Sequence, residues 1–165
     1  LMNYNNLAQK TNFTAGSKQL ELLPFYLTTV AIPGLNFNLQ EVGGRSGSRM
    51  SLSGDSVEFN SLSFEILIDE DFKVYNEFMD IVFDHINVES GTFADFSFDF
   101  WIEINNSKSK LLMKYEFYNC RIENIGDVQL DTTDDLTEHT MSVELKYDYY
   151  KIIKLGEGVP ELRTN

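Results

Sequence analysis

Strict alternation of apolar and polar residues recurs along most of the chain and predicts strands with one buried face. The longest run begins at Phe96, where apolar residues occupy every second position up to Ile104. A second clear run occupies Thr140–Tyr150, and its apolar row extends from Met141 to Tyr149. Shorter runs predict strands at Phe25–Ile32, Leu35–Leu39, Ser61–Ile68 and Leu111–Ile122. The pattern therefore predicts a mainly β domain.

One segment, residues 69–86, instead has the three- and four-residue spacing of an amphipathic helix. Acidic residues crowd its start, where they complement the helix dipole and cap free N–H groups. The predicted apolar stripe consists of Phe72, Tyr75, Phe78, Met79, Val82 and Ile86. Such a stripe would cover one open face or edge of a sheet. Together the patterns predict an antiparallel β-sandwich or barrel flanked by one helix.

Two breaks interrupt the strand pattern. Pro33 cannot donate a hydrogen bond to a strand ladder, so the preceding strand is expected to end or bend there. Val57 and Phe59 occupy odd-numbered positions, whereas the next apolar row, from Leu62, occupies even-numbered positions. Because a slip of one residue turns every side chain to the opposite face, a turn or bulge is expected near residues 60–61.

The length of 165 residues predicts one domain. Residues 1–20 show little periodicity and many small polar residues, so we interpret them as a flexible N-terminal arm that orders on assembly. Residues 21–154 form the predicted β domain, and residues 155–165 a loose C-terminal tail. No apolar run approaches the roughly 20 residues that cross a bilayer, so no membrane insertion is expected.

The chain is strongly acidic, with a net charge of −13 from 26 acidic and 13 basic residues. This charge argues against nucleic-acid binding, which requires Lys and Arg to displace counterions from phosphates. It is compatible with a wall that DNA slides past without binding, because like charges repel. Solubility alone would also account for it.

A Gly/Ser-rich segment follows the strand predicted at Leu35–Leu39. It comprises Gly43, Gly44, Arg45, Ser46, Gly47, Ser48 and Arg49, within a loop predicted at about 43–54. The segment is either a mobile loop or an interface arm whose two arginines meet an acidic neighbour. It lacks the Lys-Ser/Thr pair and the following helix of a phosphate-binding loop.

Catalytic and metal-binding chemistry has little support in the sequence. The single cysteine, Cys120, lies in a predicted strand and is interpreted as a core residue. His85 and His139 are the only histidines, and the chain has no Gly-x-Ser-x-Gly motif. The acidic run at 127–138 does not match a calcium-binding loop and is interpreted as surface charge, although ion binding there stays open. We therefore predict no enzyme activity, no cofactor and no metal site.

Trp101 falls on the mixed polar face of its predicted strand, opposite the phenylalanines. An aromatic residue in this position suits a carbohydrate- or protein-binding β-sandwich module acting as a monomer. It equally suits an interface between subunits, where aromatic residues are enriched. The sequence does not separate these two alternatives.

Three short sequence motifs and the order of the predicted secondary-structure elements resemble those of the tail-tube proteins of contractile-tailed bacteriophages. The motifs are VAIPGL at 30–35, ILIDED at 66–71 before the helix, and LKYDYY at 145–150. The likeness extends from about Phe25 to Ile152. The family is related to tube subunits of type VI secretion and to the proteins that initiate tubes at phage baseplates.

The resemblance implies a homohexameric ring that stacks into a hollow tube, with the segment 43–49 reaching the adjacent ring. The tube would hold the tape-measure protein, conduct DNA without binding it specifically, and contact sheath and baseplate proteins. It would be part of the virion tail, assembled in the host cytoplasm. A ring that initiates or terminates the tube is the alternative. Candidate lumen-facing residues are Ser97, Asp99, Glu103, Ser142, Glu144 and Asp148.

Overall fold

The computed structural model describes residues 12–43, 49–52, 54, 56–87, 90–93, 96–106, 108–130 and 138–154. The strands that these residues form are β1 (Phe13–Ser17), β2 (Leu27–Ala31), β3 (Leu35–Phe37), β4 (Gln40–Gly43), β5 (Arg49–Leu52), β6 (Val57–Phe59), β7 (Leu62–Leu67), β8 (Ile86–Asn87), β9 (Thr92–Phe93), β10 (Phe98–Asn105), β11 (Leu111–Ile125), β12 (Thr140–Lys146) and β13 (Tyr149–Lys154). The helices are α1 (Leu23–Tyr26) and α2 (Lys73–His85).

Seven strands form one antiparallel sheet in the order β1-β10-β11-β12-β7-β2, and β13 also pairs with β11. The sheet curls until its two halves face each other. The ring of Phe64 in β7 therefore stacks on Phe100 in β10, with centroids 5.2 Å apart. The result is sandwich-like and is not a closed barrel, which confirms the predicted mainly β fold. The prediction of a single helix is wrong, because α1 is present as well.

The hydrophobic core lies between the two halves of the curled sheet. Alternate residues of β7 and β12 point into it, as the period-two pattern predicts, and each is at most 2% exposed: Leu62, Phe64, Ile66, Met141, Val143 and Leu145. Phe78 of α2 lies against Phe64 with ring centroids 6.3 Å apart, so this helix covers one side of the core. Full burial of a large apolar side chain such as these contributes about 1.5–3 kcal/mol.

The helix α2 begins at Lys73, four residues later than predicted, and its first turn contains no acidic residue. Asp69 still caps it, since its carboxylate accepts a hydrogen bond from the Val74 N–H at 3.1 Å. Phe72 precedes the helix in a left-handed conformation (φ 57°) and is not part of a helical stripe. The buried face is formed by Val74 and Phe78, so the predicted stripe omits Val74.

The structure also differs from the prediction of a flexible N-terminal arm. Phe13–Ser17 pairs with β10 and buries Ala15, whereas the sequence predicts a flexible arm there. Residues 1–11 and 155–165, with the predictions made for them, lie outside the described residues. The strand predicted from Phe25 starts only at Leu27, because Pro24 occupies the first turn of α1.

A break between β12 and β13 ends the predicted inward row at Tyr147. Tyr149 was predicted to continue it but is 45% exposed, and Tyr150 packs on the core instead. Opposite this break, Asn119 of β11 has a left-handed backbone (φ 54°). In both strands, the alternation of inward and outward side chains shifts there. The shift follows from the strict two-residue period of a strand.

Among the described residues, no helix has the length and apolar character needed to cross a membrane.

Candidate assembly surfaces

Two short antiparallel ribbons project from the sheet and form an arm, residues 35–59. The first ribbon pairs β3 with β6, and the second pairs β4 with β5. The first ribbon aligns Leu35 with Phe59 and Phe37 with Val57. Directly opposed residues of a ribbon share one face. All four apolar side chains therefore lie on one side, and they are 39%, 37%, 63% and 46% exposed in that order.

The second ribbon carries the arm further from the sheet. Leu39 and Val42 on its first strand are 62% and 47% exposed. Gly43 pairs with Arg49, so these two members of the predicted interface segment belong to a β-ribbon and not to a loop. Residues 44–48, which include Arg45, lie outside the described residues. The period-two patterns on both sides of the Gly/Ser segment are the signal that would have predicted this hairpin.

The root of the arm is fixed to the core by aromatic contacts. Phe59 meets Tyr147 and Tyr150 edge to face, with centroids 6.1 and 5.8 Å apart. Lys146 donates a hydrogen bond to the Phe59 carbonyl oxygen at 3.4 Å. On the other strand, the Asn36 side chain donates to the Asn60 amide oxygen at 2.9 Å. The first ribbon is therefore held by the same residues that line the end of the core.

An open cleft of about 640 Å³ lies beside this root. Its lining residues are Glu58, Phe59, Asn60, Ser61, Lys146 and Tyr147. Tyr147 is only 5% exposed, and burial raises the pKa of its hydroxyl to about 12. That hydroxyl has no hydrogen-bond partner among the described residues.

The outer face of the β7–β12 half of the sheet is polar and smooth. Ser142 lies opposite Glu65, and Glu144 lies opposite Ser63. Small hydroxyl side chains thus alternate with carboxylates across the two strands. These four positions carry two carboxylates and no aromatic residue, and Lys146, the next outward residue of β12, adds a positive charge to the face.

The outer face of the β10–β11 half is chemically different. Lys114 lies 3.6 Å from the Glu103 carboxylate and 3.2 Å from that of Glu116, and its ammonium sits over the Trp101 ring at 5.8 Å. Tyr118 donates to Glu116 at 2.7 Å, which raises the pKa of Tyr118 to about 12 and lowers that of the Glu116 carboxyl. Because the lysine covers the indole, Trp101 is not an open platform for a sugar ring.

The predicted lumen residues divide between these two faces. Asp99 and Glu103 belong to the outer face of β10, with Ser97 exposed just before it, whereas Ser142 and Glu144 belong to β12. The inner faces of the two halves meet in the core, so their outer faces point away from each other. One lumen wall therefore cannot contain both sets.

Asp148, the sixth predicted lumen residue, lies at the break between β12 and β13. Its carboxylate accepts hydrogen bonds from Asn119 and Arg121, each at 3.0 Å. These bonds lower the pKa of the Asp148 carboxyl. Both partners lie on β11. The carboxylate therefore ties the break between β12 and β13 to β11, where the alternation of inward and outward side chains shifts.

No protein-family model matches the chain, and no curated protein does. Among solved structures, the tube terminating cap of the anti-feeding prophage aligns with 93% of this chain and 95% of its own, at 13% identity and a TM-score of 0.67. The sheath/tube terminator of PVC, an extracellular contractile injection system, covers 91% and 99% at 11% identity and a TM-score of 0.63. A chain of the PVC sheath-tube complex covers 93% and 95% at 12% identity and a TM-score of 0.60.

This chain has a tail-tube fold. The alignments span nearly the whole length of each partner, so the arm and both sheet halves are included in the likeness. The predicted resemblance is thereby confirmed at the level of the fold.

Within the tail-tube fold, the β7–β12 half has two open edges. The strand β2 pairs only with β7 among the described residues. At the other edge, residues 122–125 of β11 pair only with β12 in the described part of the chain, because β10 pairs with the preceding part of β11. Open strand edges expose N–H and C=O groups that can pair with another chain.

The residues considered for catalysis do not form a site. Cys120 is buried, and burial raises the pKa of its thiol to about 12, so the nucleophilic thiolate is suppressed. His85 Nδ1 lies 2.7 Å from the Ile81 carbonyl oxygen, and its ring packs on Phe96. No group of three or more potential metal ligands occurs in the described part of the chain.

Proposed function

We propose that this chain is a structural subunit of the tube of a contractile tail, forming rings that stack around a lumen. The observation that carries the proposal is the exposed apolar face that Leu35, Phe37 and Val57 form on the arm, beside the Phe59 ring that packs on the core. Contiguous exposed apolar surface marks an interaction site. On a tail-tube fold, the partner that fits this face is a copy of the same chain in the adjacent ring.

Ring closure would use the two open edges of the β7–β12 half. Pairing of β2 of one copy with residues 122–125 of the next would continue the sheet around the ring. Repeated around six copies, the number that the family resemblance implies, this contact closes on itself and pairs both of these edges.

The polar outer face of β7 and β12 would then line the lumen. Of the predicted lumen residues, Ser142 and Glu144 belong to this wall, and Ser63 and Glu65 join them. The carboxylates repel DNA, and the short hydroxyl side chains leave the surface smooth. The opposite face, with Trp101, would point outward to a sheath protein.

The remaining partners follow from this assignment. We propose a tail-particle location, assembly in the host cytoplasm, contact with baseplate proteins, and a lumen that holds a tape-measure protein and conducts DNA without binding it specifically. The structural neighbours come from assemblies that include a sheath-tube complex and a baseplate, which supports contacts of this kind.

A terminal ring is the second candidate. Two of the structural neighbours are described as a tube terminating cap and a sheath/tube terminator, each aligned with more than nine-tenths of this chain. A terminal ring would form hexamers that do not extend into tubes, whereas a tube subunit would extend without limit.

Negative-stain electron microscopy of the purified protein over a range of concentrations tests the proposal. We expect hollow rings or tubes, with tubes favouring the tube body and single rings favouring the terminator. In Phe37→Ser, which replaces a 63% exposed arm residue, stacking should be lost. Phe83→Ser, which replaces a 59% exposed residue of α2, is the matched control and should assemble as the wild type does. Monomers at every concentration, with and without added tail proteins, would refute the assembly function.

A further inference from the structure

Phe25 is the most exposed large apolar side chain among the described residues, at 82%. It lies on α1, which is too short to be stable by itself. Packing holds this turn in place: Leu23 is fully buried, and the Glu77 carboxylate of α2 accepts hydrogen bonds from the Glu21 and Leu22 N–H groups at 2.7 and 3.3 Å. The structure therefore fixes an aromatic side chain in solvent.

Phe25 and the cleft at the arm root lie at opposite ends of the sheet. In the antiparallel pair of β2 and β7, Leu27 faces Ile66, whereas Ala31 faces Ser63. Phe25 is thus beyond the end of β7 near Ile66, and the cleft is beyond its start. The six residues of β7 separate the two by roughly 20 Å at about 3.3 Å per residue.

The cleft has the size and the lining to accept an aromatic ring. It is an open surface cleft of about 640 Å³, in which Phe59 and Tyr147 supply the aromatic surface beside polar neighbours. Phe59, 37% exposed, presents a ring for aromatic contact, and the buried Tyr147 hydroxyl beside it lacks a partner among the described residues.

We propose that Phe25 of one copy inserts into the arm-root cleft of a second copy, so that subunits join end to end. A knob and a hole at opposite ends of one molecule make a heterologous contact, which extends without limit when it does not close. Charge does not oppose the contact, since each end carries one basic and one acidic residue: Lys73 with Asp71 near the knob, and Lys146 with Glu58 at the cleft. This inference rests on the proposed stacking of rings. It names a second contact between stacked copies, in addition to the contact made by the arm.

Rigid presentation explains why Phe25 suits this role. An aromatic anchor that is already held in place loses little conformational entropy on binding. The Glu77 hydrogen bonds hold the backbone of the turn that carries Phe25.

The first test compares Phe25→Ala with Phe83→Ala in sedimentation velocity and electron microscopy of the full chain. Both variants should fold, because both side chains are mostly exposed. We expect Phe25→Ala to raise the concentration needed for stacking about tenfold or more, and Phe83→Ala to leave it unchanged. Equal stacking by both variants would overturn the contact while leaving the tube function intact.

The second test keeps Phe25 and Phe59 and uses the double variant Glu21→Cys/Glu58→Cys, with one cysteine beside the knob and one in the cleft lining, and a bismaleimide cross-linker. Cys120 is buried and serves as an unreactive background in the single variants. The double variant should give a covalent ladder longer than dimers, whereas neither single variant can. Tubes without a ladder would refute the knob contact alone, and the absence of any assembly would refute both the contact and the proposed function.

Discussion

Tyr147 shows how a single residue joins the core to the arm. Its ring packs against Phe117, with centroids 5.0 Å apart, on one side and against Phe59 of the arm on the other. Its hydroxyl is buried without a partner among the described residues. A buried polar group in this state costs about 1–3 kcal/mol of stability.

Tyr147→Phe is therefore expected to stabilise the isolated subunit by about 1–2 kcal/mol, because the aromatic packing is kept and the desolvated hydroxyl is removed. The measurement is the urea midpoint with an unchanged slope. Tyr149→Phe, at a 45% exposed position, is the control and should change stability by less than about 0.5 kcal/mol. A destabilised Tyr147→Phe would show that the hydroxyl already has a partner.

At the scale of elements, the contact between β1 and α1 depends on a glycine. A Cβ atom built on Gly16 would lie 2.7 Å from the Pro24 Cγ and 3.2 Å from the Trp101 Cζ2. Neither ring can move freely, since Pro24 lies in the first turn of α1 and Trp101 belongs to a paired strand. The absence of a side chain at Gly16 thus lets α1 lie directly on β1.

Gly16→Ala should accordingly destabilise the fold by about 1–3 kcal/mol through overpacking. Gly43→Ala, where an added Cβ meets nothing within 4 Å, is the matched control and should be nearly neutral. Thermal unfolding followed by circular dichroism measures both. Equal melting temperatures for the two variants would show that α1 is not packed on β1 as described.

At the scale of the whole molecule, assembly must overcome like-charge repulsion. Each copy carries a net charge of −13, so rings and stacks concentrate negative charge. The surfaces proposed to meet are mainly apolar, or are strand edges, and these contacts are weakly affected by salt. Repulsion between copies, by contrast, is screened within a Debye length of about 8 Å at physiological ionic strength.

Raising the salt concentration from about 0.01 M to physiological strength is therefore expected to lower the protein concentration at which tubes or rings appear. Light scattering and sedimentation velocity at matched protein concentrations measure this effect. A fall in assembly with added salt would show instead that attraction between opposite charges dominates the interface.

Period-two patterning by itself determined the central strands. The inward rows of β7, β10 and β12 follow directly from it, because a strand turns every second residue to the same face. The separation of β6 from β7 near residues 60–61 was likewise predictable from the change of parity. The three short sequence motifs and the order of elements pointed to the tail-tube fold.

Only the tertiary structure decided features that depend on contacts distant in sequence. Phe13–Ser17 becomes a strand because β10 offers an open edge, and α1 forms because Glu77 and Gly16 receive it. The inward row passes from Tyr147 to Tyr150 because β11 breaks its facing at Asn119. The apolar residues of the arm alternate like core residues, and only the fold shows that their face is uncovered. Local periodicity sets which side chains share a face, whereas packing between distant segments decides what covers that face.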